Sequence, residues 1–320
     1  MSVVEKSDPG DLSLSVIVPA FNAAHYLERS LPPLIAMRDS VRIDGVYVVD
    51  DCSTDPTSVE TARRLGATVL NMPRNGGPGA ARNLAARDVT SDLLWFVDAD
   101  VVVHDDAVRQ IPKVFADPHV HALFGCYDDN PPAPGFASQY KNLMHRYYHA
   151  RSPREANTFW SGCGVVRRDA FLAVDGFDII QFKRPSVEDI ELGYRMRDAG
   201  GKIILDRDFL CTHLKQWSLR EVVMTDVTKR AAPWSRLLLG RPQSEKNLNV
   251  SRDEQLRALL AGVWALSFFA VFASPVWPAL AFVFVVLTLL VVASNLELLI
   301  FFVRNRGVSF GLTGLAFHQV

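Results

Sequence analysis

Residues 258–295 contain no charged side chain. As helix, at about 1.5 Å per residue, a stretch of that length exceeds the ~30 Å hydrocarbon core of a bilayer. This limits the folds open to the chain more than any other feature. Elsewhere 34 Lys+Arg face 35 Asp+Glu, which excludes a nucleic-acid binder working through bulk positive charge. The charge is unevenly spread: up to residue 213 there are 23 basic and 29 acidic residues, then nine basic and five acidic from 214 to 257. An acidic head, a basic collar and an apolar tail follow one another, so the chain reads as a membrane protein with a large head.

Ser274-Pro275-Val276-Trp277-Pro278 interrupts the apolar stretch, and two prolines so close suit a turn better than a helix interior. The expectation is a transmembrane hairpin within 258–303, its helices at about 256–273 and 277–294. Arg252 and Arg257 flank one end while Arg304 and Arg306 flank the other, which places both ends in the cytoplasm. The segment 304–320 turns apolar again and reads as the start of a third span. The N-terminal tail, 1–13, lacks the basic start and apolar run of a secretory signal. A multi-pass protein of the cell's inner or plasma membrane is therefore expected, its head cytoplasmic. Cys52, Cys126, Cys163 and Cys211 are widely spaced with no Cys-x-x-Cys pair, against both a zinc site and a disulfide framework.

From 14 to 213 short β-branched runs alternate with longer amphipathic stretches, the pattern of an α/β domain on a mostly parallel, Rossmann-like sheet. Four apolar runs each open into a polar or Gly-rich loop: Pro19-Ala20-Phe21-Asn22, Asp50-Asp51-Cys52-Ser53-Thr54-Asp55, Asn75-Gly76-Gly77-Pro78-Gly79 and Asp98-Ala99-Asp100. Ligands collect beyond the carboxyl ends of such strands.

Each motif has a chemical and a structural reading. Asp98 and Asp100, two positions apart after a buried strand, can share a divalent ion and a diphosphate, because Mg²⁺ and Mn²⁺ prefer oxygen ligands; surface turns also produce the triplet. Asp55 before Pro56 looks like a helix N-cap, whereas Asp51 has no evident structural duty and could accept hydrogen bonds from a base or ribose. Gly76–Gly79 running into a helix can cradle phosphate or be a solvated helix start. Glu188-Asp189 suits the positive end of a helix dipole. Trp160 is either a wall for an acceptor or a core side chain.

The series Val18-Pro19-Ala20-Phe21-Asn22, Val49-Asp50-Asp51-Cys52-Ser53-Thr54-Asp55, Arg82-Asn83, Phe96-Val97-Asp98-Ala99-Asp100 and Glu188-Asp189 resembles family 2 glycosyltransferases in order and spacing. The likeness covers about 14–213 and implies a nucleotide-sugar-binding GT-A fold with an inverting mechanism. It implies that Pro19, Asn22 and Asp51 hold the nucleoside, Asp98 the nucleotide and Asp100 the metal on the diphosphate, with Arg82 beside them. It assigns the base that deprotonates the acceptor to Asp189, which a helix N-terminus would keep ionised near neutral pH; Glu188 becomes an acceptor contact or a cap. His213 resembles the third metal ligand of some members, although a lone histidine is more often structural.

The collar, 214–257, mixes basic residues with Trp217, Trp234 and Leu237-Leu238-Leu239, as amphipathic helices on an anionic membrane surface do; a solvated helix pair is the competing reading. Trp217 could instead close over the donor. The Gln-x-x-Arg-Trp pattern of processive synthases is absent. The expected activity is metal-dependent (Mn²⁺ or Mg²⁺) transfer of a sugar from a nucleoside-diphosphate sugar to a lipid-linked or cell-envelope glycan acceptor at the membrane, with no nucleic-acid partner. The alternatives are a catalytically inactive nucleotide-sugar-binding partner and a nucleotidyltransferase, the latter disfavoured by the absence of Lys or Arg over 18–24.

Overall fold

The computed structural model describes residues 12–38, 43–239, 251–273 and 277–319. The chain divides into two compact units, Met1–Glu245 and Lys246–Val320. The first is built on one mixed sheet. Its opening run is β1 (Leu14–Ala20), α1 (Ala24–Arg38), β2 (Ile43–Asp50), α2 (Thr57–Arg64), β3 (Thr68–Asn71), α3 (Gly77–Asp88), β4 (Leu93–Val97) and β5 (Val101–Val103). Next come α4 (Ile111–Phe115), β6 (Val120–Tyr127), α5 (Phe136–Arg151), β7 (Glu155–Ala156), β8 (Cys163–Arg167), α6 (Arg168–Ala173), α7 (Glu188–Asp198) and β9 (Lys202–His213). The strand order is β3-β2-β1-β4-β8-β6-β9-β5, with β7 also on β9.

β1 to β4 pair in parallel, and the near-continuous apolar runs of β1 and β4 fit strands buried on both faces. Beyond β4 the sheet is mixed: β8 is antiparallel to β4 and β6, β9 parallel to β6, and β5 antiparallel to β9. The two-residue period sends alternate side chains into two cores. Val16, Val18 and Trp95 pack with Leu27, Leu31 and Leu34 of α1 on one face. On the other, Ile17 and Phe96 pack with Ala81 and Ala85 of α3, Leu192 of α7 and Phe171 of α6. This is a helix-sheet-helix sandwich.

After β9 come α8 (Leu219–Met224), a π-helical turn (Thr225–Ala231) and α9 (Ala232–Leu239), so these collar helices fall within the first unit. Ser218 caps α8 reciprocally with Glu221. The second unit holds α10 (Arg252–Ala270), α11 (Ala279–Ser294) and α12 (Leu296–His318). The Trp264 indole N–H donates to Thr288 Oγ1 at 3.0 Å and ties α10 to α11. Among the described residues no single helix is long and apolar enough to cross a membrane; α11 and α12 meet that test only as a pair bent by 67°. The expected turn residues 274–276 lie outside the described residues, as does most of the N-terminal tail. α12 is two helical stretches that meet at a break at Gly307, whose φ of 84° lies outside the helical region.

The register of β6 against β9 shifts between Phe124 and Cys126. There Gly125 meets the β9 backbone so closely that a Cβ would lie 1.8 Å from the Phe209 carbonyl oxygen. Gly125→Ala should therefore force the two strands apart and lower the thermal midpoint of the full chain, with a cost of about 1–3 kcal/mol or more. An unchanged midpoint would show that this crossing relaxes freely.

Candidate active site

The ends of β1, β2 and β4 converge on one edge of the sheet. Asn22, with a left-handed φ of 50°, bridges the first two loops. Its Oδ1 accepts from the Thr54 backbone N–H at 2.8 Å and its own N–H donates to Ser53 Oγ at 2.9 Å. Asn22 is exposed at the mouth, whereas Pro19 is buried within β1 opposite Val49, so it shapes the strand end without lining the opening.

Asp51 has a structural duty after all. Its Oδ1 accepts from the Gly76 N–H at 2.7 Å and its Oδ2 from the Gly77 N–H at 2.8 Å, while its carbonyl accepts from Asn75. The carboxylate thus fills the positive N-terminus of α3. Of the two readings of the glycine loop, this gives the Gly76 and Gly77 amides a structural partner, which the sequence could not show because the partners are some 25 residues apart. Asp55 lies two positions before α2, where its carboxylate accepts from the Thr57 N–H at 3.0 Å with Pro56 in the cap position.

Arg82 sits beneath the site at 2% exposure, ion-paired to Asp98. Its guanidinium lies over Phe96 at 5.9 Å and Phe177 at 5.4 Å, and among the described residues Nε and Nη1 have no hydrogen-bond partner. The ring faces offset part of that lost hydrogen bonding. Arg82 therefore holds Asp98 from below, while the Asp98 side chain stays 37% exposed. A tight turn from the Val101 N–H to the Asp98 carbonyl then carries the chain to Asp100.

His213 reaches Asp100 through sheet pairing. β5 aligns Val101 with His213, and the Leu214 N–H donates to the Asp100 carbonyl at 2.8 Å. This leaves His213 Nε2 3.5 Å from Asp100 Oδ2, both side chains largely buried. Oxygen and imidazole donors suit a divalent cation of the Mn²⁺ type. Among the described residues no group of three or more such side chains is arranged for a metal; the Asp100–His213 pair fits one only where ligand oxygens complete the coordination.

Asp189 lies at the start of α7. Its Oδ2 accepts from the Ser161 N–H at 3.2 Å and its Oδ1 from the Ile190 N–H at 2.9 Å. Burial, and after it the neighbouring Glu188, raise its pKa to about 6, against the downward pull of those amides and of Arg82. The shift is thus upward where a helix start alone predicted none, yet the group is largely ionised at neutral pH. Glu188 accepts from the Ser186 N–H at 2.6 Å, and it lines a shallow recess with Gly77, Gly79, Phe177, Phe182 and Arg184.

Trp160 is half-buried, with its ring against Tyr127, His145 and His149. The following residue, Ser161, is the one that contacts Asp189. Trp217 lies 6.4 Å from His213, with Lys215 over its face at 4.0 Å. Phe177 under Arg82 and Tyr127 beside His213 escaped the sequence reading, and Ser161 was noted only as the neighbour of Trp160; hydrogen bonds to Asn83 hold Phe177, and strand register places Tyr127.

A sequence model of the family described as "Glycosyl transferase family 2" matches residues 15–174. The chain belongs to this family. It is 28% identical over 225 residues to the pre-mycofactocin glycosyltransferase of Mycobacterium tuberculosis, covering 67% of this chain and 45% of that protein. It is 36% identical over 113 residues to the poly(ribitol-phosphate) beta-N-acetylglucosaminyltransferase TarS of Staphylococcus aureus, covering 34% of this chain and 19% of that one. The chain spans less than half the length of these curated relatives. The solved mannosyltransferase PcManGT of Pyrobaculum calidifontis, in complex with GDP-Man and Mn²⁺, superposes with a TM-score of 0.56 at 20% identity over 97% of this chain and 88% of that one. The likeness to it is one of fold, the GT-A-like α/β architecture.

The family's second motif thus builds the site as well as facing it. Asp51→Ala should strand two part-buried amides at the start of α3 and destabilise the ligand-free protein by about 1 kcal/mol, visible as a lower thermal midpoint. An unaltered midpoint would assign Asp51 to ligand alone.

Proposed function

We propose that this protein is an inverting glycosyltransferase that moves a sugar from a nucleoside-diphosphate sugar to an acceptor at a membrane face. The observation that carries the reading is the gathering of Asp98, Asp100, His213 and Asp189 around the carboxyl end of β4, in a chain of the glycosyltransferase family. Asn22 and Asp51 order the loops that flank the nucleoside, and Arg82 presents the Asp98 carboxylate to the nucleotide. Asp100 and His213 would hold a divalent cation, which when bound supplies charge neutralisation for the departing diphosphate. Asp189 takes the acceptor's hydroxyl proton as that oxygen attacks the anomeric carbon and the bond to the diphosphate breaks. Trp160 and Glu188 flank this base, Trp160 through Ser161, and are assigned to the acceptor.

The membrane reading draws support from both units. Leu266, Phe269, Phe272, Phe282 and Leu289 stand 65–73% exposed along the C-terminal helices, an apolar surface that water does not tolerate. In the first unit Leu219, Val223, Met224 and Val227 are exposed beside Arg220, Lys229 and Arg230, a combination suited to anionic headgroups. A cytoplasmic head at the plasma membrane and a lipid-linked or cell-envelope glycan acceptor follow from that location.

Thermal stabilisation of the detergent-solubilised chain by nucleoside diphosphates and their sugars, with and without Mn²⁺, tests the donor assignment. One nucleotide should raise the midpoint in a metal-dependent way, and no shift with any of them would favour an inactive partner. Asp100→Ala should remove the metal dependence of that shift. Asp189→Asn should lower turnover by about 10²–10⁴-fold while leaving the donor shift intact. Because Asp189 acts as the base and burial raises its pKa to about 6, kcat/KM of the unaltered enzyme should rise about tenfold per pH unit below that value and level off above it. A pH-independent rate between 5 and 7 would remove Asp189 from that role.

A further inference from the structure

A histidine that ligates a metal is normally oriented by a hydrogen bond from its second ring nitrogen to a carboxylate or carbonyl. His213 lacks this: among the described residues no hydrogen bond to its Nδ1 is found, and at 3.5 Å its Nε2 lies too far from Asp100 for that contact to set the ring plane. What does contact the imidazole face is Tyr127. The two rings are stacked with centroids 4.5 Å apart and planes within 10°, and both residues are 8% exposed.

The sheet dictates this contact. Tyr127, the last residue of β6, pairs with Cys211 of β9, so His213 is its diagonal neighbour on the same face, within reach of an aromatic ring. Tyr127 is itself braced. Trp160 meets it edge-on at 4.9 Å and 85°, and His145 lies against it at 4.2 Å. His145 is 3.8 Å from His149, which anchors the series through Nδ1 to the Gly125 carbonyl at 2.9 Å. Burial pushes the pKa of His145 well below its usual value and that of His149 down to about 4, so the brace adds no positive charge beside the cation pair.

We propose that Tyr127 is a positioning residue, whose braced ring holds the His213 imidazole in the plane that aims Nε2 at Asp100. The inference rests on the reading of Asp100 and His213 as cation ligands. Tyr127 touches neither the cation nor the donor; it acts through His213. Its other neighbour, Trp160, is the residue assigned to the acceptor, so one ring stands between the two halves of the site.

The test is Mn²⁺ binding to the full detergent-solubilised chain, followed by the electron paramagnetic resonance signal of free Mn²⁺ in the presence of UDP and, in parallel, GDP. Tyr127→Phe keeps the ring and should bind within about twofold of the unaltered protein. Tyr127→Leu keeps apolar bulk but no planar face and should weaken Mn²⁺ about five- to tenfold, with its thermal midpoint recorded as the check on folding. His213→Asn should weaken binding at least as much. Adding Tyr127→Leu to His213→Asn should then cost nothing further, a coupling that a merely structural role would not produce. Should Tyr127→Leu unfold, the decision falls to Tyr127→His, whose smaller planar ring should retain more affinity than Tyr127→Val. Tyr127→Leu binding as the unaltered protein does, or adding its full loss to His213→Asn, would overturn the positioning role alone. If His213→Asn changes nothing, or no Mn²⁺ binds with either nucleotide, the cation reading falls and this inference with it.

Discussion

β1 and β4 are buried on both faces, and the polar chemistry of this protein has to be arranged around that fact. A strand so placed has all its backbone groups paired and can carry almost nothing but apolar side chains along its length. Charged residues become tolerable only where the strand ends and the sheet edge opens. The two-sided burial of Val16, Ile17, Val18, Trp95 and Phe96 therefore both stabilises the head and drives the carboxylates to one rim. Parallel pairing puts the ends of β1, β2 and β4 at the same level, while the antiparallel β8 begins where β4 stops and delivers Trp160 and Ser161 to the same place.

Gathering acidic groups at one rim creates a repulsion that other parts of the fold offset. Asp51 is spread over two amides at the start of α3, Asp98 is paired to a buried arginine, and Asp100 faces an imidazole. Burial raises the proton affinity of both Asp98, against the pull of Arg82, and Asp189, to about 6, where Glu188 adds to it and the amides around it oppose it. The compensation is uneven: His213 helps to hold Asp100 below the usual carboxylate range, whereas Asp98 and Asp189 are raised above it by burial.

Much of the fold was legible from residue pattern. The runs 15–18, 46–49 and 93–97 became β1, β2 and β4 within a few residues, and the break into polar loops located the rim. The mixed second half of the sheet was not, because β6, β8 and β9 pair over long separations and periodicity carries no information on partner or direction. The C-terminal helices were partly legible. Their apolar character is evident in composition, yet where α11 gives way to α12 depends on Asn295, which accepts no helix continuation at its φ of −111° and is buried at 3% exposure.

Among the candidate site residues, the sequence by itself determined which carboxylates stand at a strand end or a helix start: Asp51, Asp98, Asp100 and Asp189 are set there by motif and spacing, since each follows an apolar run or opens a helix. Only the tertiary structure decided what each one touches. Asp51 turned inward to the glycine loop and Arg82 sank beneath Asp98, while Pro19 stayed within its strand. His213 closed on Asp100 because β9 runs back beside β5. The reason is physical: local sequence governs backbone conformation and burial through propensity and period, whereas contacts between residues 16 to 113 positions apart are set by tertiary packing and sheet register, which emerge when the whole core packs at once.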